Sequence, residues 1–433
     1  MHKDFAKEFI EFVDLSPSPF HVVNTCKKLL KKEGYEELNL KDKWNLKEEK
    51  GYFVTKNNSS LIAFYINSND IKKGFKIIGS HTDFPSIKIK PKPEIIGEKT
   101  YLKFNTEIYG GPILNTWLDR PLSIAGRVFT KSNDVFNPDE YLIDFKRPIA
   151  IIPNLAIHVN PKVNQGIELN KQKDMLPLLS MVDDTFNKDN FLIKLTSTNI
   201  NVVEENILDF ELYLYDNSKG SLVGLNEEFV SCRNLDNLAM VHSSLMALLD
   251  SNNQVSNKAV NMIAAFDNEE IGSQTKQGAD SMFLRTVMNR VAISLNKNQE
   301  EFIRGLYNSF MISADGAHAL HPNRLQDHDP TNKPILNNGP VIKISANQRY
   351  TSDAHSISVY KSICENNDIP YQKFVNPSDK RGGSTIGPIS SSFVDISSID
   401  LGIPMLAMHS IRELTGTKDL YLTYKSFVEF FNL

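Results

Sequence analysis

The sequence predicts an α/β protein that carries a β-rich insertion, and three observations support this prediction. Short apolar runs end in polar residues in GFKIIGSHTD, NMIAAFDNEE, SFMISADGAH and PMLAMHS. Runs of this length between helical segments are typical of buried strands in an α/β sheet. Between Pro85 and Val230, apolar and polar residues alternate instead, as they do in half-exposed strands. Finally, 433 residues are more than most single cores contain, which favours two domains.

The chain begins with an amphipathic pattern. Phe5, Phe9, Phe12 and Val13 recur at helical spacing, which predicts a helix that packs on a core. The stretch has no continuous apolar segment, so a secretory signal is not expected.

The alternating stretches define the insertion. They are SIKIKPKP, TYLKFNTEIY, PLSIAGRVFT and NILDFELYLYD. We therefore expect an inserted β-rich domain at residues 87–229, a length sufficient for a fold of its own. The α/β domain then consists of residues 1–86 and 230–433.

Composition narrows the class of protein. The 41% hydrophobic and 23% charged residues are typical of a soluble globular protein, and a net charge of −4 gives no reason to expect nucleic acid as a partner. Apolar stretches stay below the roughly 18 residues of a membrane span. Three cysteines without CxxC spacing suit a reducing compartment and argue against a thiolate metal site. We expect a cytoplasmic protein that binds neither membrane nor nucleic acid.

The polar strand ends contain residues that commonly bind metals. In HTD, the His81 imidazole is a suitable zinc ligand, and Asp83 can hold its other ring nitrogen. Asp236 stands where a helix with apolar spacing is expected to begin. Its carboxylate could cap that helix, or it could bridge two metal ions. Taken by itself, Asp236 is better explained as the cap.

Taken together, the candidates favour a metal centre over isolated polar groups. Ligands bind at the carboxyl ends of strands in α/β sheets, and the polar ends of the four apolar runs given above are all expected there. Two imidazoles and three carboxylates without a thiolate fit a pair of zinc or similar divalent ions, and a bridging hydroxide would balance their charge. The five candidates are His81, Asp236, Glu270, Asp315 and His409. Glu269, beside Glu270, is then predicted to move the proton of the attacking water.

Nine motifs in order give the chain a family resemblance. They are LSPSPFHVV, GSHTDFPSIKIKP, LAIHVN, CRNLDNLA, FDNEEIGS, SADGAHALHPN, VIKISANQRY, GGSTIGPISS and LAMHSIRE. The chain resembles the aspartyl aminopeptidase family of cocatalytic dinuclear zinc metallopeptidases. The resemblance implies a mixed-sheet α/β/α zinc-exopeptidase catalytic domain with an inserted β-rich dimerisation domain. It also implies a homo-oligomer, a closed tetrahedral dodecamer built from dimers with inward-facing active sites.

The resemblance also implies how the ligands are shared between two zinc ions. One zinc would be bound by His81, Asp236 and Asp315, and the other by Asp236, Glu270 and His409, with Asp236 as the bridge.

Further roles are implied for residues around the metals. Glu269 would be the general acid/base, and Asp83 the partner of His81. His158 in LAIHVN would stabilise the oxyanion, by analogy in the active site of a neighbouring subunit, although the sequence leaves open whether it acts within its own. The alternative is an ordinary hydrogen-bonded histidine on a β-ribbon.

Three residues resemble substrate-contacting positions, namely His321, Lys343 and Tyr350. Lys343 would pair with a substrate carboxylate, although an exposed lysine on a strand is also common.

The resulting functional prediction is a zinc aminopeptidase that removes one N-terminal residue from peptides. An acidic (Asp/Glu) preference is implied by the family, and a neutral one, such as leucine, is the alternative. A deacylase or carboxypeptidase on the same scaffold is a second hypothesis. A metal-loaded assembly scaffold without catalysis is a third, and Glu269 argues against it because a mere metal clamp needs no extra carboxylate.

Overall fold

A computed structural model describes residues 1–183, 186, 188–251, 260–380 and 382–433. The helices are α1 (His2–Asp14), α2 (Pro19–Lys32), α3 (Phe191–Ile200), α4 (Leu235–Asp250), α5 (Phe283–Ser294), α6 (Gln299–Tyr307), α7 (Ala354–Asn366), α8 (Ile386–Val394) and α9 (Thr417–Asn432). The strands are β1 (Glu36–Leu38), β2 (Lys50–Lys56), β3 (Ser60–Ile66), β4 (Phe75–His81), β5 (Ser86–Gly97), β6 (Tyr101–Tyr109), β7 (Leu122–Thr130), β8 (Asp139–Asp144), β9 (Leu178–Met181), β10 (Ile207–Asp216), β11 (Ser221–Val223), β12 (Phe229–Cys232), β13 (Val260–Phe266), β14 (Phe310–Ala314), β15 (Ala317–His318), β16 (Val341–Lys343), β17 (Gln372–Phe374), β18 (Ser397–Gly402), β19 (Pro404–Leu406) and β20 (Glu413–Gly416).

The largest sheet has nine strands in the order β1-β2-β3-β13-β4-β14-β18-β16-β17. Its central strands β13, β4, β14 and β18 are parallel, whereas β3 and β16 join them antiparallel. Alternate residues of β13 contribute to two hydrophobic cores, Ile263 to one and Met262 to the other, because successive side chains of a strand point to opposite faces. The mixed sheet is thus covered by helices on both faces, which confirms the predicted α/β/α class.

The N-terminal helix is confirmed. The predicted apolar residues of α1 are all buried, and the helix packs against α4 and α9. Across the described parts of the chain, no helix combines the length and the apolar character needed to cross a membrane.

A second sheet has six antiparallel strands in the order β8-β7-β10-β5-β6-β9. All six strands come from the chain between Ser86 and Asp216, and they pack around a separate core that includes Trp117 and Leu212. The alternating stretches therefore form strands as expected. The domain limits 86/87 and 229/230 stay a prediction. Strand β11 lies inside the predicted insertion, yet it pairs with β12 in another sheet, so the six-stranded sheet does not define the second limit.

The third sheet, β11-β12-β20-β19-β15, corrects one expectation. The run PMLAMHS was predicted to be a strand of the main sheet, but its β19 lies between β20 and β15. The main-sheet strand at this point is β18, immediately upstream. Pro404 lacks a backbone N–H, so it cannot contribute a donor to a central ladder, and the chain changes sheets there.

Candidate metal centre

The centre forms where adjacent parallel strands end. β4 lies between β13 and β14, and the last residue of β4, His81, is level with Phe266 at the end of β13. Asp315 follows β14 directly. Because parallel strands end at the same edge, their trailing polar residues meet there.

One group of polar atoms surrounds His81, which is buried. Its Nε2 lies 3.4 Å from Asp236 Oδ1, 3.5 Å from Asp315 Oδ1 and 3.9 Å from Glu269 Oε2. These distances bring together three of the predicted ligands and place the predicted acid/base at their margin.

A second group surrounds His409. Its Nε2 lies 3.5 Å from Asp236 Oδ2 and 3.4 Å from Glu270 Oε2. Asp236 thus turns one oxygen to each imidazole, in the arrangement expected of a bridging carboxylate. The five predicted ligands are brought together in two groups that share Asp236.

The backbone explains why Asp236 faces the centre. Asp236 and Asn237 have non-helical dihedral angles at the start of α4, and the N-cap position of this helix is Asn234 instead of Asp236. The helix-cap interpretation of Asp236 is therefore wrong. The Asp236 amide donates to Glu413 Oε2 at 3.0 Å, and the amide of His409 donates to Glu413 Oε1 at 2.7 Å. Glu413, to which sequence reasoning gave no role, holds both segments in place.

Asp83 organises the turn that carries the two adjacent glutamates. Its Oδ1 accepts a hydrogen bond from the amide of Glu269 at 3.0 Å, and its Oδ2 accepts from the amide of Glu270 at 3.1 Å. Asn268, just before them, takes the left-handed conformation with φ 64°. The glutamates thus lie on a turn after β13 instead of on the strand, which lets their side chains diverge toward His81 and His409.

Both imidazoles are oriented by backbone carbonyls. Nδ1 of His81 lies 3.0 Å from the carbonyl oxygen of Asp83, and Nδ1 of His409 lies 3.1 Å from that of Gly111. A carbonyl only accepts, so Nδ1 carries a proton in each ring and Nε2 is turned to the carboxylates. This orientation is the usual one for a metal-binding histidine.

The electrostatics of the centre favour a bound cation. Burial raises the pKa of Glu269 to about 8 against the opposing charge of His81, and neighbouring carboxylates add to the rise. Burial also raises the pKa of Glu270 well above its usual range. For His81, burial lowers the pKa, but the nearby carboxylates of Asp236, Asp315 and Asp83 outweigh burial and hold the pKa well above normal. A cation would relieve this crowding of negative charge.

Unpartnered oxygens test whether zinc fits these residues. Among the residues that the structure describes, Asp236 Oδ1 and Glu270 Oε1 are buried without a hydrogen-bond partner, which is costly unless another group binds them. Ligand atoms of His81, Asp236 and Glu270 all lie within 4.8 Å of one another. Imidazole and carboxylate donors without a thiolate suit zinc. The donor set therefore fits a zinc centre.

Two of the three predicted substrate-contacting residues adjoin the centre. The ammonium of Lys343 donates to Asp315 Oδ2 and to the carbonyl of Gly316, both at 3.0 Å, and it lies 5.3 Å from the centre of the Tyr350 ring. Lys343 is 2% exposed, so the alternative of an exposed lysine is wrong. His321 is exposed and bonds within its own loop, to Asn323 and His328, and its role stays a prediction.

His158 is not brought to the centre. It lies in an exposed turn of the insertion, where the amide of Val159 donates to the carbonyl of Ala156 at 3.0 Å. Among the described residues, no hydrogen bond or ion pair joins His158 to the five clustered side chains. Its predicted role is untested within one chain.

Comparison with known proteins identifies the family. The family model described as "Aminopeptidase I zinc metalloprotease (M18)" matches residues 12–431. The chain belongs to this M18 family. The zinc-metallopeptidase family predicted from the nine motifs is thereby confirmed, and the protein is a zinc-dependent aminopeptidase, a hydrolase.

Other M18 proteins resemble the chain over nearly its whole length. A "Probable M18 family aminopeptidase 2" of Clostridium novyi (strain NT) is 53% identical over 99% of each chain. Ape4, in a cryo-EM structure of its complex with Nbr1, is 38% identical with a TM-score of 0.95 over 100% of this chain and 86% of that one. The S. cerevisiae mApe1 dodecamer is 28% identical with a TM-score of 0.85 over 99% of this chain and 95% of that one.

Proposed function

We propose that this M18 aminopeptidase binds two zinc ions and uses them to remove the N-terminal residue of peptides. The observation that carries the proposal is the shared Asp236 carboxylate, which turns one oxygen to the His81 group and the other to the His409 group. Asp315 would complete the first zinc site and Glu270 the second. When bound, two such ions lower the pKa of water and stabilise negative charge on the substrate carbonyl oxygen.

Glu269 would move the proton in this reaction. Its Oε2 is 3.9 Å from His81 Nε2, beside the ligand group. From this position the carboxylate would accept a proton from the attacking water and pass it to the leaving amine nitrogen. The Asp83 carboxylate accepts a hydrogen bond from the Glu269 amide and would thereby keep the base in position. The backbone carbonyl of Asp83 would orient the His81 ring.

Substrate selection would involve Lys343, Tyr350 and His321. We propose a preference for acidic N-terminal residues, with Lys343 as the cationic partner. The ion pair between Lys343 and Asp315 already neutralises part of that charge, and this supports the alternative preference for neutral residues such as leucine.

Completion of the site would require a second subunit. Leu155, Ile157 and Val159 around His158 are exposed, Leu155 by 62% and Val159 by 71%, so this turn presents an apolar surface. The similarity to the mApe1 dodecamer supports the same assembly here. We propose that residues 87–229 act as a dimerisation domain, that dimers form a tetrahedral dodecamer, and that His158 of one copy stabilises the oxyanion in the next. A reducing, cytoplasmic location would suit its cysteines.

A panel of aminoacyl fluorogenic substrates, run after defined zinc reconstitution, tests the proposal. We expect release of free N-terminal residues, with Asp and Glu compared against Leu, Met and Lys. N-acetylated peptides should be inert, because the free amine is part of what an aminopeptidase recognises. Turnover of acetylated substrates alone would favour a deacylase or carboxypeptidase. Full zinc occupancy without any turnover would favour a non-catalytic scaffold.

A further inference from the structure

The insertion reaches into the metal centre at the end of strand β6. Tyr109 is the last residue of this strand, and its hydroxyl donates to Asp83 Oδ2 at 2.7 Å. The same hydroxyl accepts a hydrogen bond from Asn268 Nδ2 at 2.9 Å. A single oxygen of the insertion therefore connects the loop after β4 to the turn after β13.

We propose that Tyr109 is a positioning residue for the metal centre, a role that rests on the function proposed above. Asp83 stabilises the turn after β13, since its two carboxylate oxygens accept hydrogen bonds from the backbone amides of Glu269 and Glu270. Without the Tyr109 hydroxyl, Asp83 Oδ2 would lose its shortest hydrogen bond and could rotate away from these amides. The directions of both glutamate side chains would then be less well defined.

Contacts around Tyr109 fix the hydroxyl itself. The ring packs edge-on against Tyr213 of β10, with 6.0 Å between ring centres, so the six-stranded sheet holds the phenol in position. Asn268 is tied further by its Oδ1, which accepts from Thr275 Oγ1 at 3.0 Å and from Gln277 Nε2 at 2.8 Å. These two bonds orient the side-chain amide of Asn268 so that its Nδ2 points to the Tyr109 hydroxyl.

The residues after Tyr109 reinforce the same connection. Gly110 has φ +69°, and a Cβ there would stand 3.2 Å from the Cβ of Glu270. A glycine therefore permits close approach of this strand to the glutamate turn. The next carbonyl, of Gly111, orients His409. The short segment 109–111 thus touches both halves of the centre.

The variant Tyr109→Phe removes only the hydroxyl and keeps the ring on Tyr213. We expect kcat of the zinc-saturated enzyme to fall about tenfold with KM nearly unchanged. Loss of a direct partner of a metal ligand typically has an effect of about 10- to 100-fold, and Tyr109 acts one step further out, through Asp83. Zinc affinity, measured by competition with a chelator, should weaken about tenfold. Tyr307→Phe, at the exposed end of α6 and outside the insertion, is the matched control and should equal the wild type.

The measurements separate positioning from a structural role and from failure of the proposed function. A lower melting temperature with unchanged zinc-saturated kcat and zinc affinity would overturn the inference. If the wild type hydrolyses no peptide, the proposed function fails, and chelator competition still decides the role of Tyr109. Equal zinc affinity in Tyr109→Phe and wild type would then count against it.

Discussion

Two regions that carry predicted catalytic residues differ in almost every physical respect. The metal centre lies at buried strand ends, and each ligand-bearing segment is held by backbone hydrogen bonds, such as those that Asp83 and Glu413 accept. The turn around His158 is exposed, closed by a few local bonds and flanked by apolar side chains such as Ile157 and Val159. The side chains of the centre are held in position within one chain. The turn around His158 instead has the exposed apolar surface that is expected of a segment that packs against another subunit.

The largest effect is expected at the buried region. Glu269→Gln keeps the size of the side chain but removes its ability to exchange a proton. We expect kcat to fall about 10²- to 10⁴-fold while zinc content, measured by atomic emission, and thermal stability match the wild type. Glu300→Gln on the surface of α6 is the control. Full activity of Glu269→Gln would exclude the proposed acid/base role.

A smaller loss is expected at the exposed region. His158→Ala should lower kcat about 10²-fold, the effect typical of losing one oxyanion donor, without changing zinc content or melting temperature. The exposed His355→Ala on α7 is the matched control.

Mixing the two variants would show which subunit His158 serves. Glu269→Gln and His158→Ala subunits, dissociated and reassembled together, should recover part of the activity if His158 acts on a neighbour. An intact Glu269 then meets an intact His158 across the interface. If the mixture stays as inactive as its components, His158 acts within its own subunit or not at all.

Zinc removal should also distinguish the regions. Carboxylates crowded in the centre lose their counter-charge, so the apo protein should melt at a lower temperature. Zinc present at 100 times its dissociation constant stabilises by about 2.7 kcal/mol. Hydrogen exchange should quicken in the segments around His81, Glu270 and His409 but not around His158. If zinc removal accelerated hydrogen exchange equally in both regions, the metal would not act on the centre alone, and the proposed difference between the two regions would be wrong.

The smallest effect at neutral pH concerns a buried histidine away from the centre. His242 of α4 packs against Phe5, Phe9 and Phe12, and burial lowers its pKa to about 3. The unfolded chain binds this proton near pH 6.5 and the folded chain does not. Stability should therefore fall as pH drops from about 6.5 toward 3, by at most about 1.4 kcal/mol per pH unit. Denaturant titrations of wild type and His242→Phe check this, since the variant should show a shallower pH slope.

Residues whose position follows from local pattern could be predicted from the sequence. His81, Glu270 and Asp315 follow short apolar runs, and the sheet brings such strand ends together whatever the details of register. The apolar spacing of Phe5 and Phe9 likewise sufficed to predict α1.

Features that depend on distant contacts could not be predicted. The change of sheet at Pro404 depends on which strand lies beside it. Lys343 is buried because Asp315 and Tyr350 fold over it, and nothing in its neighbours along the chain indicates this. Tyr109 and Gly111 stand in IYGGP, a stretch that resembles an ordinary turn after an alternating strand.

The carbonyl of Gly111 has a consequence for attempts to make the enzyme smaller. A miniaturised version, in which a flexible linker replaces residues 87–229, would keep every predicted ligand side chain. It would nevertheless lose the acceptor that orients the His409 ring, and with it the phenol that steadies Asp83. A truncated version would need the tip of β6 grafted onto the remaining scaffold, since the Tyr109 hydroxyl and the Gly111 carbonyl contact Asp83 and His409 of the candidate centre.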